Sequence, residues 1–182
     1  YYPFHVPMDV ALTARAPLYL DQYSLIDYIA RNLPADYTLL IKEHPAMIGM
    51  VSYNRLKDLL NRNRNISLLH PDINNYEVMK KMDLLITVNS KTGAESLMLG
   101  KKVICLGDAF YNRSNSVLFL ENIQDLYRPI KRLLENIEPN PSVILQFFQN
   151  TWNETYPGEL YFCTKENIAI CTISILEILG RV

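Results

Sequence analysis

Four short apolar runs in the first three-fifths of the chain each end in a tight polar cluster, and this rhythm restricts the fold more than any other feature. "YTLLIK" (37–42) leads into Glu43-His44-Pro45, and residues 66–69 lead into His70-Pro71-Asp72. Residues 84–88 lead into the stretch ending at Thr92, and 103–106 into Gly107-Asp108. Apolar runs this short, with no polar alternation, are what strands buried on both faces look like. Segments with apolar residues at helical spacing separate them, over 24–32, 53–61, 75–81 and 92–99. Strand and helix in alternation with short links predict an α/β fold, a Rossmann-like doubly wound parallel sheet. Residues 1–6 add a first strand, which Pro3 places at an edge or a bend. Residues 7–20 show no period and are expected as loop. Ligands of such sheets bind beyond the carboxyl ends of the strands, and all four polar clusters fall at that edge.

Further helices are expected over 124–135, 142–152 and 164–179, with Thr164 as N-cap of the last and Gly180 as its stop. No linker or repeat interrupts the chain, so 1–182 is expected to form a single lobe with additional C-terminal helices. At 182 residues and 49% hydrophobic content, one well-cored domain is within reach. A net charge of −1 excludes a broad basic surface, so nucleic acid is not an expected partner. Cys105, Cys163 and Cys171 lack metal or redox spacing, which fits a reducing compartment without disulfides. No apolar run is long enough to span a bilayer. The chain starts at Tyr1 in a strand-like segment, without a leader, and is expected to be a piece of a longer protein.

The chemistry-bearing residues concentrate in three places. After the run at 84–88, a turn into a helix N-terminus would leave backbone N–H groups facing outward. Hydroxyls of Thr87, Ser90 and Thr92, the Asn89 amide and the Lys91 amine add donors, and Gly93 would let a ligand approach the backbone. Together these form an anion site suited to a phosphate. The alternative is a capping box, in which Thr92 and Glu95 merely close the helix end. Walker-type spacing is absent, which argues against an ATPase. The second place is Lys42-Glu43-His44-Pro45, where His44 either donates to a ligand or holds its own loop. His70-Pro71 repeats the dipeptide and reads as a structural turn. The third place is Asp9, beyond the first strand, a candidate base or nucleophile. Asp21 reads as a helix cap, and Asp108 faces the same edge as the other clusters. His5, His44 and His70 fall in separate loops, so no metal site is expected.

The segments "YYPFHVPMD", "DQYSLIDYIARNLPADYTLLIKEHP" and "LLITVNSKTGAESLMLGKKVICLGDAFY" resemble, in order and spacing, the capsule polysaccharide biosynthesis family, which includes β-Kdo transferases. The resemblance covers about three-fifths of the chain. It implies the donor-binding C-terminal lobe of a two-lobed GT-B glycosyltransferase, with a nucleotide-sugar as substrate, CMP-Kdo among them, and no further cofactor. It implies that His44 and Pro45 lie against the nucleotide, and that Thr87, Ser90, Thr92 and Gly93 hold its phosphate. Glu95 would lie near the ribose or cap its helix, and Lys42 and Glu43 would line the cleft. Where the family carries Gln-Pro-Glu after the first strand, this chain has Pro7-Met8-Asp9, so Asp9 supplies the carboxylate one methylene shorter. The implied partners are a glycan or glycolipid acceptor and the missing N-terminal lobe. The implied location is the cytoplasm, at the inner face of the bacterial inner membrane, with peripheral association through the full-length protein. A nucleotide-sugar 2-epimerase and a non-catalytic nucleotide-sugar or partner-binding module stay open beside it.

Overall fold

A computed structural model describes residues 1–136, 138–159 and 161–180. The chain divides into two compact units, Tyr1–Leu145 and Gln146–Val182. The first holds β1 (Tyr2–Pro3), α1 (Val10–Thr13), α2 (Gln22–Arg31), β2 (Leu39–Lys42), α3 (Tyr53–Arg62) and β3 (Ile66–Leu68). It continues with α4 (Asn75–Lys81), β4 (Leu84–Thr87), α5 (Thr92–Met98), β5 (Lys102–Cys105), β6 (Leu118–Phe119) and α6 (Tyr127–Asn136).

All strand pairs are parallel, in two ladders ordered β1-β2-β3 and β4-β5-β6. Tyr1 joins them. Its nitrogen donates to the Leu84 carbonyl at 2.7 Å, and the Ile86 N–H donates to the Tyr1 carbonyl at 2.9 Å. That is the slanted bonding of a parallel pair. The combined order is therefore β3-β2-β1-β4-β5-β6, the order of a doubly wound Rossmann sheet. β1 thus lies in the centre, not at the edge that Pro3 pointed to. The Phe4 N–H donates to Lys42 on the β2 side at 2.9 Å, so by alternation Pro3 turns its missing N–H toward β4. The β1–β4 ladder stops there, and a two-residue strand suffices because Tyr1 and Tyr2 carry the bonds.

Period-two alternation divides the buried side chains between two faces. Ile41, Leu84, Ile86 and Ile104 share one continuous core with Ile26 and Ile29 of α2, Leu59 of α3 and Ile130 of α6. Leu85, Val103 and Cys105 are buried on the other face. There α4 and α5 meet, the Ser96 hydroxyl donating to the Met79 sulfur. Right-handed crossovers require this arrangement, with helices on opposite faces to the left and right of β1.

Residues 7–20 are not loop. Asp9 caps α1, Pro17–Tyr19 forms a 3₁₀ turn, and Leu12, Ala16 and Tyr19 are buried. β6 was not expected either, being only two residues long. Asp21 caps α2 as expected, its carboxylate accepting from the Ser24 hydroxyl at 2.7 Å.

Helix α7 (Pro141–Asn153) runs from the first unit into the second, which also contains α8 (Lys165–Ile178). Thr164 caps α8 by accepting from the Asn167 N–H at 3.2 Å, and Gly180 follows its end at φ +63°. The preceding turn folds onto α8, where the Ser174 hydroxyl donates to the Pro157 carbonyl at 2.6 Å. No helix among the described residues is long and apolar enough to cross a membrane.

Candidate functional site

The register Pro3↔Lys42 places His5 and His44 at the same height, each two residues past its strand, on neighbouring loops at the carboxyl edge of the sheet. Both line a cleft of about 260 Å³, together with Phe4, Tyr23, Met47 and Arg55. The Arg55 guanidinium lies over the Tyr23 ring at 4.1 Å and pairs with Asp21.

His44 is set by its own loop. Its Nδ1 accepts from the Ala46 N–H at 3.2 Å, where Pro45 opens a 3₁₀ turn. The Glu43 carboxylate accepts from the Gly49 N–H at 3.1 Å. These two bonds hold residues 43–49, so His44 does hold its own loop. One ring nitrogen holds the loop, and the neutral ring carries its proton on Nε2, free to donate.

His5 is the residue that sequence reasoning passed over. It is 7% exposed, at the seam between β1 and β4. Gln22, itself buried, clamps its backbone: Oε1 accepts from the His5 N–H (2.8 Å) and the Tyr2 hydroxyl (3.2 Å), while Nε2 donates to the His5 carbonyl (3.0 Å). The His5 Nε2 accepts from the Asn89 N–H at 3.3 Å, with Thr87 Oγ1 at 3.4 Å. Burial pushes the imidazole pKa down to about 4, against an upward pull from the Asp9 carboxylate and with a further downward push from His44. Asp9 and His44 therefore both lie close enough to act on His5. Asp9 caps α1, its Oδ1 accepting from the Ala11 N–H at 2.9 Å. A signal for His5 existed, since all three histidines stand two residues past the ends of β1, β2 and β3.

Replacing Gln22 with leucine would strand two backbone groups and a hydroxyl. We expect a loss of about 2–4 kcal/mol by urea denaturation, and a loss under about 1 kcal/mol would show that the clamp carries no weight.

The turn after β4 differs from its expected form. Four of its N–H groups are engaged within the protein rather than facing outward. Asn89 N–H goes to His5, Ser90 N–H to Thr87 Oγ1 (3.2 Å), Thr92 N–H to Ser90 Oγ (3.2 Å) and Gly93 N–H to the Ser90 carbonyl (2.9 Å). Thr87 and Thr92 are buried. Hydroxyls and backbone satisfy one another because the turn is folded under the sheet edge. Gly93 does not open the backbone to a ligand either: a Cβ there would overlap the Tyr111 ring. The Thr92–Glu95 capping box does not form, since the Glu95 N–H donates to the Lys91 carbonyl at 3.1 Å. Lys91 remains exposed, Glu95 and Ser90 half-buried. The Asn89 amide donates to the Ala11 carbonyl at 2.7 Å, tying the turn to α1.

Lys42 does not line the cleft. Alternation turns it to the other face, where it is buried and its ammonium donates to Asn75 at 3.1 Å; burial lowers its pKa, and Asp72 works against that. Asp108 does lie at the carboxyl edge, exposed and paired with Arg15 at 3.1 Å, a contact that ties α1 to the loop after β5. Among the described residues, no group of three or more His, Cys, Asp or Glu side chains is placed to hold a metal.

Residues 6–114 match the model of a family described as capsule polysaccharide biosynthesis protein. The chain is 29% identical over 153 residues to Protein FixF of Sinorhizobium fredii (strain NBRC 101917 / NGR234), covering 83% of this chain and 36% of that protein. A solved structure, the Thermosulfurimonas dismutans KpsC beta Kdo 2,7 transferase, superposes with a TM-score of 0.54 at 18% identity, over 80% of this chain and 43% of that one. The beta Kdo 2,4 transferase of the same KpsC gives a TM-score of 0.43 at 20% identity, over 70% of this chain and 36% of that one. At its identity the likeness to the 2,7 transferase is one of fold. The chain thus spans well under half the length of these relatives.

Proposed function

The chain belongs to the capsule polysaccharide biosynthesis family, and from that membership we propose that it is the donor-binding lobe of a two-lobed, GT-B type glycosyltransferase of bacterial surface polysaccharide synthesis. The observation that carries this reading is that His5 and His44 line one cleft at the carboxyl edge of the sheet, with the Asp9 carboxylate near enough to act on His5. In doubly wound folds that edge is where nucleotides bind. The donor would be a nucleotide-sugar, and CMP-Kdo is the first to test because the solved relative is a Kdo transferase.

In the reaction the bond between sugar and phosphate breaks while an acceptor hydroxyl bonds to the sugar carbon. Negative charge then collects on the leaving phosphate. The His44 Nε2–H and the exposed Lys91 ammonium are donors available to meet it. Asp9 has only Oδ1 engaged in capping, and Oδ2 would take the acceptor proton or attack the sugar. Glu95 and Asp108 would contact the donor from the same edge. The acceptor, a glycan or glycolipid, would enter from the second lobe, and the full-length protein would work at the inner face of the membrane. The epimerase reading needs a second free carboxylate in the cleft.

Calorimetric titration with CMP, CDP, UMP and UDP tests this. One nucleotide should bind, and His44→Ala should weaken it about tenfold, as loss of a hydrogen bond to a charged group does. Binding unaffected by that substitution, or no binding of any nucleotide, would overturn the proposal.

A further inference from the structure

The cleft that His5 and His44 share carries one arginine, and its surroundings hold it in place. Arg55 is the third residue of α3. Its guanidinium lies over the Tyr23 ring, and its Nη2 donates to Asp21 Oδ1. Tyr23 is itself held: its hydroxyl accepts from the Ser52 N–H at 2.6 Å, and its ring meets Phe4 edge-on at a centroid distance of 5.9 Å. Asp21 is held by the Ser24 hydroxyl as it caps α2. Burial works against the Asp21 charge, but the bonds from Ser24 and Arg55 outweigh it and keep that carboxyl below its ordinary pKa, so the tether is charged at neutral pH. These contacts use one face and one nitrogen of the guanidinium. Nε and Nη1 meet no protein acceptor among the described residues, and the side chain is half-exposed where it lines the cleft.

The rest of the cleft is short of charge. None of its lining residues is an Asp or Glu, Arg55 is the one Lys or Arg among them, and Leu20, Met47, Met50 and Val51 give it an apolar wall. The Gln22 amide is spent on His5 and Tyr2, and burial keeps the His5 ring neutral. A guanidinium donates and never accepts, and beside an apolar wall its attraction for an anion is stronger than in water. We propose that Arg55 is the residue by which the cleft selects an anionic donor, its free edge donating to an oxyanion of the nucleotide-sugar, either a phosphate or a sugar carboxylate. This rests on the donor-binding reading above and adds to it a specificity-determining residue and a charge requirement on the ligand. Tyr23 and Asp21 align the planar fork before the ligand arrives, so little freedom is lost when the new bonds form. The His44 Nε2–H, on the neighbouring loop of the same cleft, adds an uncharged donor to the same ligand.

Calorimetric titration of the whole chain and of Arg55→Gln tests this, with CMP, UMP, the nucleosides cytidine and uridine, and CMP-Kdo as probes. If the oxyanion is the phosphate, Arg55→Gln should weaken the nucleotide that binds by about tenfold or more and leave its nucleoside unchanged. If it is the sugar carboxylate, the nucleotide should bind as before and CMP-Kdo should be weakened by the same factor. In either case the weakened ligand should depend less on salt in Arg55→Gln than in the parent. Arg55→Lys keeps the charge but loses the planar fork, and should recover only part of the loss. Equal weakening of nucleotide and nucleoside would show a structural role alone, and unchanged affinity for every probe would show an ordinary surface ion pair. Either result would overturn the inference, while the donor-lobe reading would still stand or fall with His44→Ala. No binding of any nucleotide would overturn that reading and this inference with it.

Discussion

Gly93→Ala is expected to destabilise the chain by about 1–3 kcal/mol, the cost of forcing an extra methyl into a packed core. The new Cβ would overlap the Cζ and hydroxyl of Tyr111, so something must shift. The ring has little room to give. Tyr111 is 1% exposed, its hydroxyl donates to the Ser90 carbonyl at 2.7 Å, and the Cys105 thiol approaches that hydroxyl at 3.8 Å. Moving the ring would also disturb Ser90, and with it the turn after β4. Tyr111→Leu should relieve much of the alanine penalty, so the double variant should lose less than the two single losses added together. Urea denaturation of the four proteins measures this. Strict additivity would show that Tyr111 does not set the need for glycine. A variant of unchanged stability that had lost nucleotide binding would instead restore the reading of Gly93 as a ligand approach.

The second large effect is acid sensitivity carried by one side chain. In the unfolded chain His5 takes up its proton near pH 6.5, while in the folded chain burial delays this to about 4. Between those values the unfolded state binds more protons, so stability rises with pH across the window. The contribution is complete above the unfolded pKa and disappears as the pH falls through the folded one. Its size is about 3 kcal/mol for a shift of this extent. His5→Gln cannot be protonated and should flatten the stability profile between pH 4 and 6.5 relative to the parent. His44 and His70 stay in the variant and act as an internal reference. Equal slopes in both proteins would place the acid sensitivity elsewhere.

The alternation of strands and helices was legible because each central strand is an unbroken apolar run. α4 was read at its observed bounds, and β2, β4, β5 and α5 came within a few residues. What was not legible was what short-range signals hide. Pro3 argues against a central strand, yet a strand that bonds through Tyr1 and Tyr2 tolerates it. Leu12, Ala16 and Tyr19 do carry a helical spacing, but Pro17 breaks it and only burial reveals it. The edge that gathers the candidate residues was legible, and their bonding was less so. Polar clusters at strand ends pointed to the edge where His5 and His44 line a cleft, and His44 and Asp9 stood out as chemical residues. The turn after β4 looked like an open phosphate cradle because a list of donors does not say which acceptors sit beside them. Its hydroxyls, together with His5, consume most of them. His5 was overlooked because its meaning depends on the register between β1 and β2, a long-range property.

A structure of the chain crystallised with CMP would show where the donor phosphate sits. The nucleotide phosphate is expected in the cleft between the loops after β1 and β2, within hydrogen-bond distance of the His44 Nε2. A phosphate seated instead on Lys91 and the start of α5, with the His5–His44 cleft empty, would contradict it.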